Sequence, residues 1–121
     1  NMVEMLSLKH KLAIASGSWA KDIRYILENA GASDLFPVIL GKESASREKP
    51  HPDIFLNAAE KLGCAPSECF VLEDALKGLY AAKEAGMPCI ILRNPLNQNI
   101  NFDEADLIFE SLEDFVSALK A

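Results

Sequence analysis

No stretch of this chain stays apolar for the roughly 20 residues that a membrane-spanning helix requires. The opening Asn1-Met2-Val3-Glu4 has neither the basic head nor the apolar stretch of a secretion signal. Positive charge is scarce: 12 Lys and Arg against 18 Asp and Glu leave a formal net charge of −6. A surface of that sign repels phosphate backbones and anionic headgroups, so neither nucleic acid nor membrane is an expected partner. The three cysteines (Cys64, Cys69, Cys89) are odd in number and form no C-x-x-C pair. They read as reduced thiols serving as small core residues, which suits a cytoplasmic location. Repeats, low-complexity tracts and internal linkers are missing too. What remains is half apolar and a quarter charged over 121 residues, the profile of one ordinary globular domain.

Short apolar runs alternate with amphipathic ones, which predicts an α/β fold. Residues 2–8 read as the end of a helix, and 11–15 (K-L-A-I-A) as a strand followed by a Ser16-Gly17-Ser18 turn. Asp22, Ile23, Ile26, Leu27 and Ala30 keep helical spacing until Gly31. Residues 38–40 form a short strand, and a polar loop runs from 42 to 51. Pro52 suits the first turn of a helix carrying Ile54, Phe55, Ala58, Ala59 and Leu62, which Gly63 ends. Residues 69–72 form a third strand, 76–85 a helix closed by Gly86, 89–92 a fourth strand and 105–108 a fifth. Ser111-Leu112-Glu113-Asp114 resembles a capping box before a last helix at 115–119. Repeated strand–helix–strand units predict a parallel sheet covered on both faces. The ligand site of such a sheet lies at the carboxyl ends of its strands.

That rule sorts the polar residues. Ser16-Gly17-Ser18 offers hydroxyls and close backbone N–H groups before a helix, an arrangement that binds phosphate oxygens, although Ser18 also reads as a simple N-cap. Pro50 restricts Lys49, so its ammonium can be aimed inward from the loop. Glu73 and Asp74 are the oddity: two adjacent carboxylates at the mouth of the apolar strand Phe70-Val71-Leu72. Burying either unpaired is costly. Mg²⁺ takes one or two carboxylates, keeps several waters and accepts substrate phosphate as a further ligand. The plainer reading is that Asp74 caps the following helix. Together, an anion-binding turn, a lysine and an acidic pair on successive strand ends are parts that phosphoryl transfer uses.

The segments LAIASGS, EKPHPDIF and VLEDALKGLYAAKEAGM, in that order, resemble the haloacid dehalogenase superfamily, nearest its β-phosphoglucomutase-like, sugar-phosphate phosphatase branch. The resemblance covers nearly the whole chain. It implies a Rossmann-like doubly wound core and a phosphatase or phosphomutase that acts on a small phosphorylated metabolite. By the resemblance, Ser16 is the motif II hydroxyl and binds the phosphoryl group with backbone N–H groups around Gly17. Lys49 is the motif III lysine, which neutralises charge, while Asp74 and Glu73 are the motif IV acids that hold Mg²⁺. Two positions depart from the pattern: Ala75 stands where Ser or Thr is usual, and Glu48 where Gly is usual.

The family's motif I, an apolar strand ending D-x-D-x-[TV] that carries the nucleophilic aspartate, has no counterpart here, and neither has the cap domain. Asp103-Glu104-Ala105-Asp106 precedes a strand instead of ending one, and it matches a helicase box by letters alone. Residues 1–121 are therefore expected to form a partial core with motifs II, III and IV. The motif I strand is central in the family's sheet. Its absence leaves two apolar edges (Leu12 and Ile14; Val71 and Leu72) for an upstream segment or a strand-swapped partner chain. The chain alone is expected to be inactive. A non-catalytic phosphate- or protein-binding module of the same fold is the alternative, and a receiver or flavodoxin-like domain fits less well. His10 and His51 need no role, Trp19 suits packing or contact with a cap, and Phe102, Phe109 and Phe115 read as core.

Overall fold

The structure is a computed structural model that describes residues 2–120. Its elements follow in the order α1 (Met2–Ser7), β1 (Ala13–Ala15), α2 (Ala20–Asn29), β2 (Val38–Leu40), α3 (Asp53–Leu62), β3 (Val71–Glu73), α4 (Leu76–Glu84), β4 (Cys89–Leu92), β5 (Leu107–Phe109) and α5 (Leu112–Lys120). Short 3₁₀ turns at Ser33–Leu35, Lys42–Ser44 and Pro66–Glu68 fill three connections. Among the described residues no helix is long and apolar enough to cross a membrane.

All strand pairings are parallel. β1 pairs with β2 in the register Ala13–Val38, and β4 lies between β3 and β5 in the registers Val71–Cys89 and Ile90–Leu107. The strands therefore make two sheets, one of two strands and one of three, and β1 and β3 each leave one edge unpaired. That seam is where the family's central strand is expected.

The alternation of side chains explains why the strands read as unbroken apolar runs. On β4, Cys89 and Ile91 enter one core while Ile90 enters another. The first core unites Val38 and Leu40 of β2 with Val71 of β3, under Ile54, Phe55, Ala58 and Ala59 of α3 and Leu79, Ala81 and Ala82 of α4. The second joins Leu6 of α1 with Ile90, Phe115 and Val116, and Leu12 and Leu72 pack against it. The first core reaches both sheets and the second reaches Leu12 just before β1, so helices and side chains, not strand pairing, hold the halves together.

Gly63 and Gly86 end α3 and α4 in left-handed conformations (φ 72° and 77°), and Gly31 follows α2 at φ 68°. Several expected boundaries move. Pro52 is the N-cap of α3 and not part of its first turn. The last helix starts at Leu112, because the Ser111 hydroxyl accepts the Asp114 N–H (3.0 Å) and makes 112–114 the first turn. β5 starts at Leu107, not at 105. The Ala105 N–H is committed to a turn onto Phe102 O (3.0 Å), and the Asp106 carboxylate is drawn to Cys89 N–H (2.7 Å) and Lys83 Nζ (2.9 Å). Phe102 and Phe115 are core residues, as expected. Of the cysteines, Cys89 is buried, Cys69 is half-buried and packs against the first core, and Cys64 is half-buried in the α3–β3 connection.

Candidate active site

Lys49 is the centre of the rim. Its Nζ donates to the Ala15 carbonyl that ends β1 (3.1 Å) and to Glu73 Oε2 at the end of β3 (2.8 Å), and it lies 4.8 Å from the Phe55 ring centroid. One side chain thus bridges the seam. The two side chains are only 13% and 12% exposed, so each charge depends on the other. The Lys49–Pro50 peptide bond is cis. Glu73 Oε1 accepts the Asp74 N–H (3.1 Å), which leaves both oxygens of Glu73 engaged. Gly78 lies against the Glu73 side chain, and a Cβ there would overlap Glu73's Cγ and Cδ. That close approach is what a glycine in the first turn of α4 permits.

Ser16 follows β1 and is held by its N–H to Leu40 O (3.0 Å), while its hydroxyl accepts the Ser18 N–H (3.1 Å). Ser18 is not the N-cap of α2. Trp19 occupies that position without a side-chain bond, and the carboxylate of Glu43 accepts the Ala20 N–H instead (3.1 and 3.4 Å). The site's anion-binding helix start is therefore already met by a carboxylate from the next loop. Gly17 faces open space. Ser16, Gly17 and Lys49 share a pocket of about 130 Å³ with Lys42, Lys77 and Glu48. Lys42 Nζ sits 4.9 Å from the Trp19 ring centroid. With three lysines against Glu48, the lining of this cavity is net positive, which suits an anion despite the acidic chain.

Asp74 turns the other way. It opens, solvent-exposed, onto an adjoining cleft of about 460 Å³ lined by Leu72, Glu73, Leu92, Arg93, Asn94 and Leu112. Asp74 does not cap α4, whose N-cap is Ala75. Its Oδ2 accepts from Asn94 Nδ2 (3.2 Å), and its carbonyl accepts from Asn97 Nδ2 (2.9 Å). Asn97 is 3% exposed and also donates to Leu92 O (3.1 Å) and accepts the Asn94 N–H (2.8 Å). Arg93 donates to the carbonyls of Asn97 and Ile100, both at 2.8 Å, so it braces this loop. Sequence reasoning missed Asn94, Asn97, Lys42 and Lys77. The rule that ligands sit at strand carboxyl ends should have flagged Asn94, two residues past the end of β4.

The five singled-out residues fall into two adjacent groups, Ser16, Gly17 and Lys49 in the pocket and Asp74 in the cleft, with Glu73 joining them through its ion pair. Among the described residues no three His, Cys, Asp or Glu side chains cluster to hold a metal. Asp74 and Glu48 are both exposed carboxylates at the rim, Asp74 in the cleft and Glu48 in the pocket.

A family model described as haloacid dehalogenase-like hydrolase matches residues 1–92. The chain belongs to that family. This haloacid dehalogenase-like chain is 37% identical over 109 residues to YhcW of Bacillus subtilis (strain 168), a protein named provisionally as a phosphatase; the match covers 90% of the chain and 50% of YhcW. Among solved structures, CbbY of Rhodobacter sphaeroides, determined in complex with phosphate, superimposes with a TM-score of 0.84 at 29% identity, over 94% of this chain and 52% of CbbY. β-Phosphoglucomutase of Clostridium difficile gives 0.82 at 28% identity, over 98% and 54%. The chain spans half or less of the length of the curated relatives it matches.

Proposed function

We propose that this chain supplies the phosphate- and metal-binding half of a Mg²⁺-dependent phosphatase or phosphomutase acting on a small phosphorylated metabolite. The observation that carries this reading is the Lys49 bridge. One ammonium joins the ends of β1 and β3 and also lines the pocket that Ser16 and Gly17 share. A phosphoryl group in that pocket would meet the Ser16 hydroxyl, the Gly17 backbone, and the charges of Lys49, Lys42 and Lys77. Such donors stabilise charge that grows in the transition state without having to reorganise.

Asp74 would hold the Mg²⁺, and Glu73, pinned by Lys49, would orient the acidic pair and reach the metal through water. Bound Mg²⁺ would neutralise phosphoryl oxygens and orient them. An aspartate on a strand seated in the seam, beyond these 121 residues, would provide the nucleophile. Its carboxylate oxygen would attack phosphorus as the substrate's P–O bond breaks, and water, or a second sugar hydroxyl in a mutase, would then take the phosphoryl group from the acyl phosphate. A cytoplasmic setting accords with such a substrate.

The test is release of p-nitrophenol from p-nitrophenyl phosphate by the chain alone, by a chain extended with the D-x-D strand, and by the extended Asp74→Asn variant. The extended enzyme should turn over in Mg²⁺, and Asp74→Asn should reduce kcat by about 100-fold or more. The short chain should be inert. Turnover by the short chain that disappears on Asp74→Asn would overturn the division of labour, since a nucleophile would then lie among these residues.

A further inference from the structure

Asp74 is exposed, yet it is held from three directions. Its N–H reaches Glu73 Oε1 (3.1 Å), its carbonyl accepts from Asn97 Nδ2 (2.9 Å), and its Oδ2 accepts from Asn94 Nδ2 (3.2 Å). Its Oδ1 accepts no hydrogen bond among the described residues. The hold begins in the core. The Arg93 guanidinium lies 5.1 Å from the ring centroid of Phe102, which is buried, and fixes the loop between β4 and β5 through the carbonyls of Asn97 and Ile100.

Asn97 is the one polar residue buried among the described residues, and a buried amide has to be satisfied. Its Nδ2 donates to the carbonyls of Asp74 and Leu92, and its Oδ1 accepts the Asn94 N–H. Asn94 Oδ1 in turn accepts the N–H groups of Leu96 (2.8 Å) and Asn97 (3.1 Å). With its oxygen facing two donors, the amide offers only Nδ2 on its other side, and that side faces Asp74. We propose that Asn94 is a positioning residue for the Asp74 carboxylate: its amide fixes Oδ2 and leaves Oδ1 to a divalent cation, while Asn97 fixes the backbone of both residues. The role rests on the reading of Asp74 as the Mg²⁺ ligand.

Mg²⁺ demands near-ideal octahedral geometry, so a carboxylate that swings freely serves it poorly. An exposed aspartate samples several rotamers, and binding would have to select one of them. A bond from one oxygen to an anchored amide makes that selection beforehand. Hydrogen bonds to ligating groups change metal affinity by about 10–100-fold, and an exposed pair at 3.2 Å belongs at the lower end. Glu73 cannot steady the Asp74 carboxylate, because its own oxygens are engaged by Lys49 and by the Asp74 N–H. Asn94 also has a plainer task, since its Oδ1 closes the turn at 94–97. That task needs only the oxygen. Serine separates the two roles: its hydroxyl accepts the N–H two residues on as an asparagine does, but it has no amide to donate to Asp74.

The experiment titrates Mn²⁺, a paramagnetic cation that favours the same oxygen ligands as Mg²⁺, into the isotope-labelled chain and follows the broadening of its amide NMR signals. The signals of Asp74, Ala75 and Asn94 should broaden first, and Asp74→Asn should abolish that local effect. Asn94→Ser should need about 10-fold more Mn²⁺ for the same broadening, with its melting temperature unchanged. Asn94→Ala, which loses the turn as well as the donor, should lose affinity and stability together. Should Asn94→Ser fail to fold, the side-chain amide of Asn94 decides in the wild-type background: one of its protons should move upfield in Asp74→Ala, and an unmoved signal would overturn the role. Wild-type Mn²⁺ affinity in Asn94→Ser, with Asp74→Asn still losing the cation, would reduce Asn94 to a brace for its loop and overturn the positioning role alone. No rim broadening in the wild type, or broadening that survives Asp74→Asn, would instead overturn the reading of Asp74 as the metal ligand.

Discussion

Lys49 is bound at both ends of its reach, and replacing it removes more than an attraction. Lys49→Met would leave Glu73, only 12% exposed, as an unpaired carboxylate against the core. Loss of one partner from a sequestered pair costs about 3 kcal/mol, so the urea midpoint of the variant should fall well below that of the wild type. Replacing both residues by apolar side chains should recover much of that loss, because no orphaned charge then remains. Gly78 offers a sharper contest between two effects. Helix propensity alone says that Gly78→Ala should stabilise α4 by about 1 kcal/mol. The new Cβ would land on the Glu73 side chain, however, and overpacking costs about 1–3 kcal/mol. We expect net destabilisation at neutral pH, together with weakened phosphate binding as Lys49 loses its partner. Thermal melts and a phosphate titration check both. A more stable variant with unchanged binding would show that Glu73 can move at little cost.

The elements were legible wherever their signals are local. Gly31, Gly63 and Gly86 mark helix ends because a left-handed residue is a property of one position, and Ser111 marks a helix start because it bonds a residue three positions away. Signals failed where the partner is distant. Glu43 caps α2 from 23 residues downstream, so the nearby Ser18 seemed the better cap. Likewise Asp106 looked like the interior of a strand, whereas it is the tie between α4, β4 and β5, holding Lys83 and the Cys89 N–H at once. Those bonds, the Cys89 N–H foremost and then Lys83, hold the Asp106 carboxyl below its ordinary value. The unfolded chain therefore binds a proton at higher pH than the folded one. The stabilisation is present above the ordinary carboxylate range and is lost as pH falls through the folded value. Asp106→Asn should accordingly be less stable than the wild type at neutral pH, and the gap should narrow on acidification below the usual carboxylate range. Paired urea titrations at neutral and strongly acidic pH measure it.

At the scale of the whole molecule, the arrangement of strands was readable, but the division of labour at the rim was not. Residue order placed Ser16, Lys49 and the acidic pair after strand ends, yet no sequence rule says that Glu73 faces Lys49 while Asp74 faces Asn94. That choice follows from the alternation of side chains at the end of β3 and from the gap left by Gly78. The open edges of β1 and β3 have a solution consequence. Edges without partners pair with other chains, so sedimentation should show association that increases with concentration and is suppressed when the chain is extended by a strand that fills the seam. A monomer at every concentration would mean that side chains already close the gap. The same seam bears on the order of assembly. Every pairing present joins strands adjacent in sequence (β1 with β2, β3 with β4, β4 with β5), so each half closes through a single local crossover, at lower contact order than a pairing that spans the chain. A strand filling the seam would arrive late and could not act as the nucleus. In stopped-flow refolding of the extended chain, substitutions in the added strand should accelerate unfolding and leave the folding rate almost unchanged.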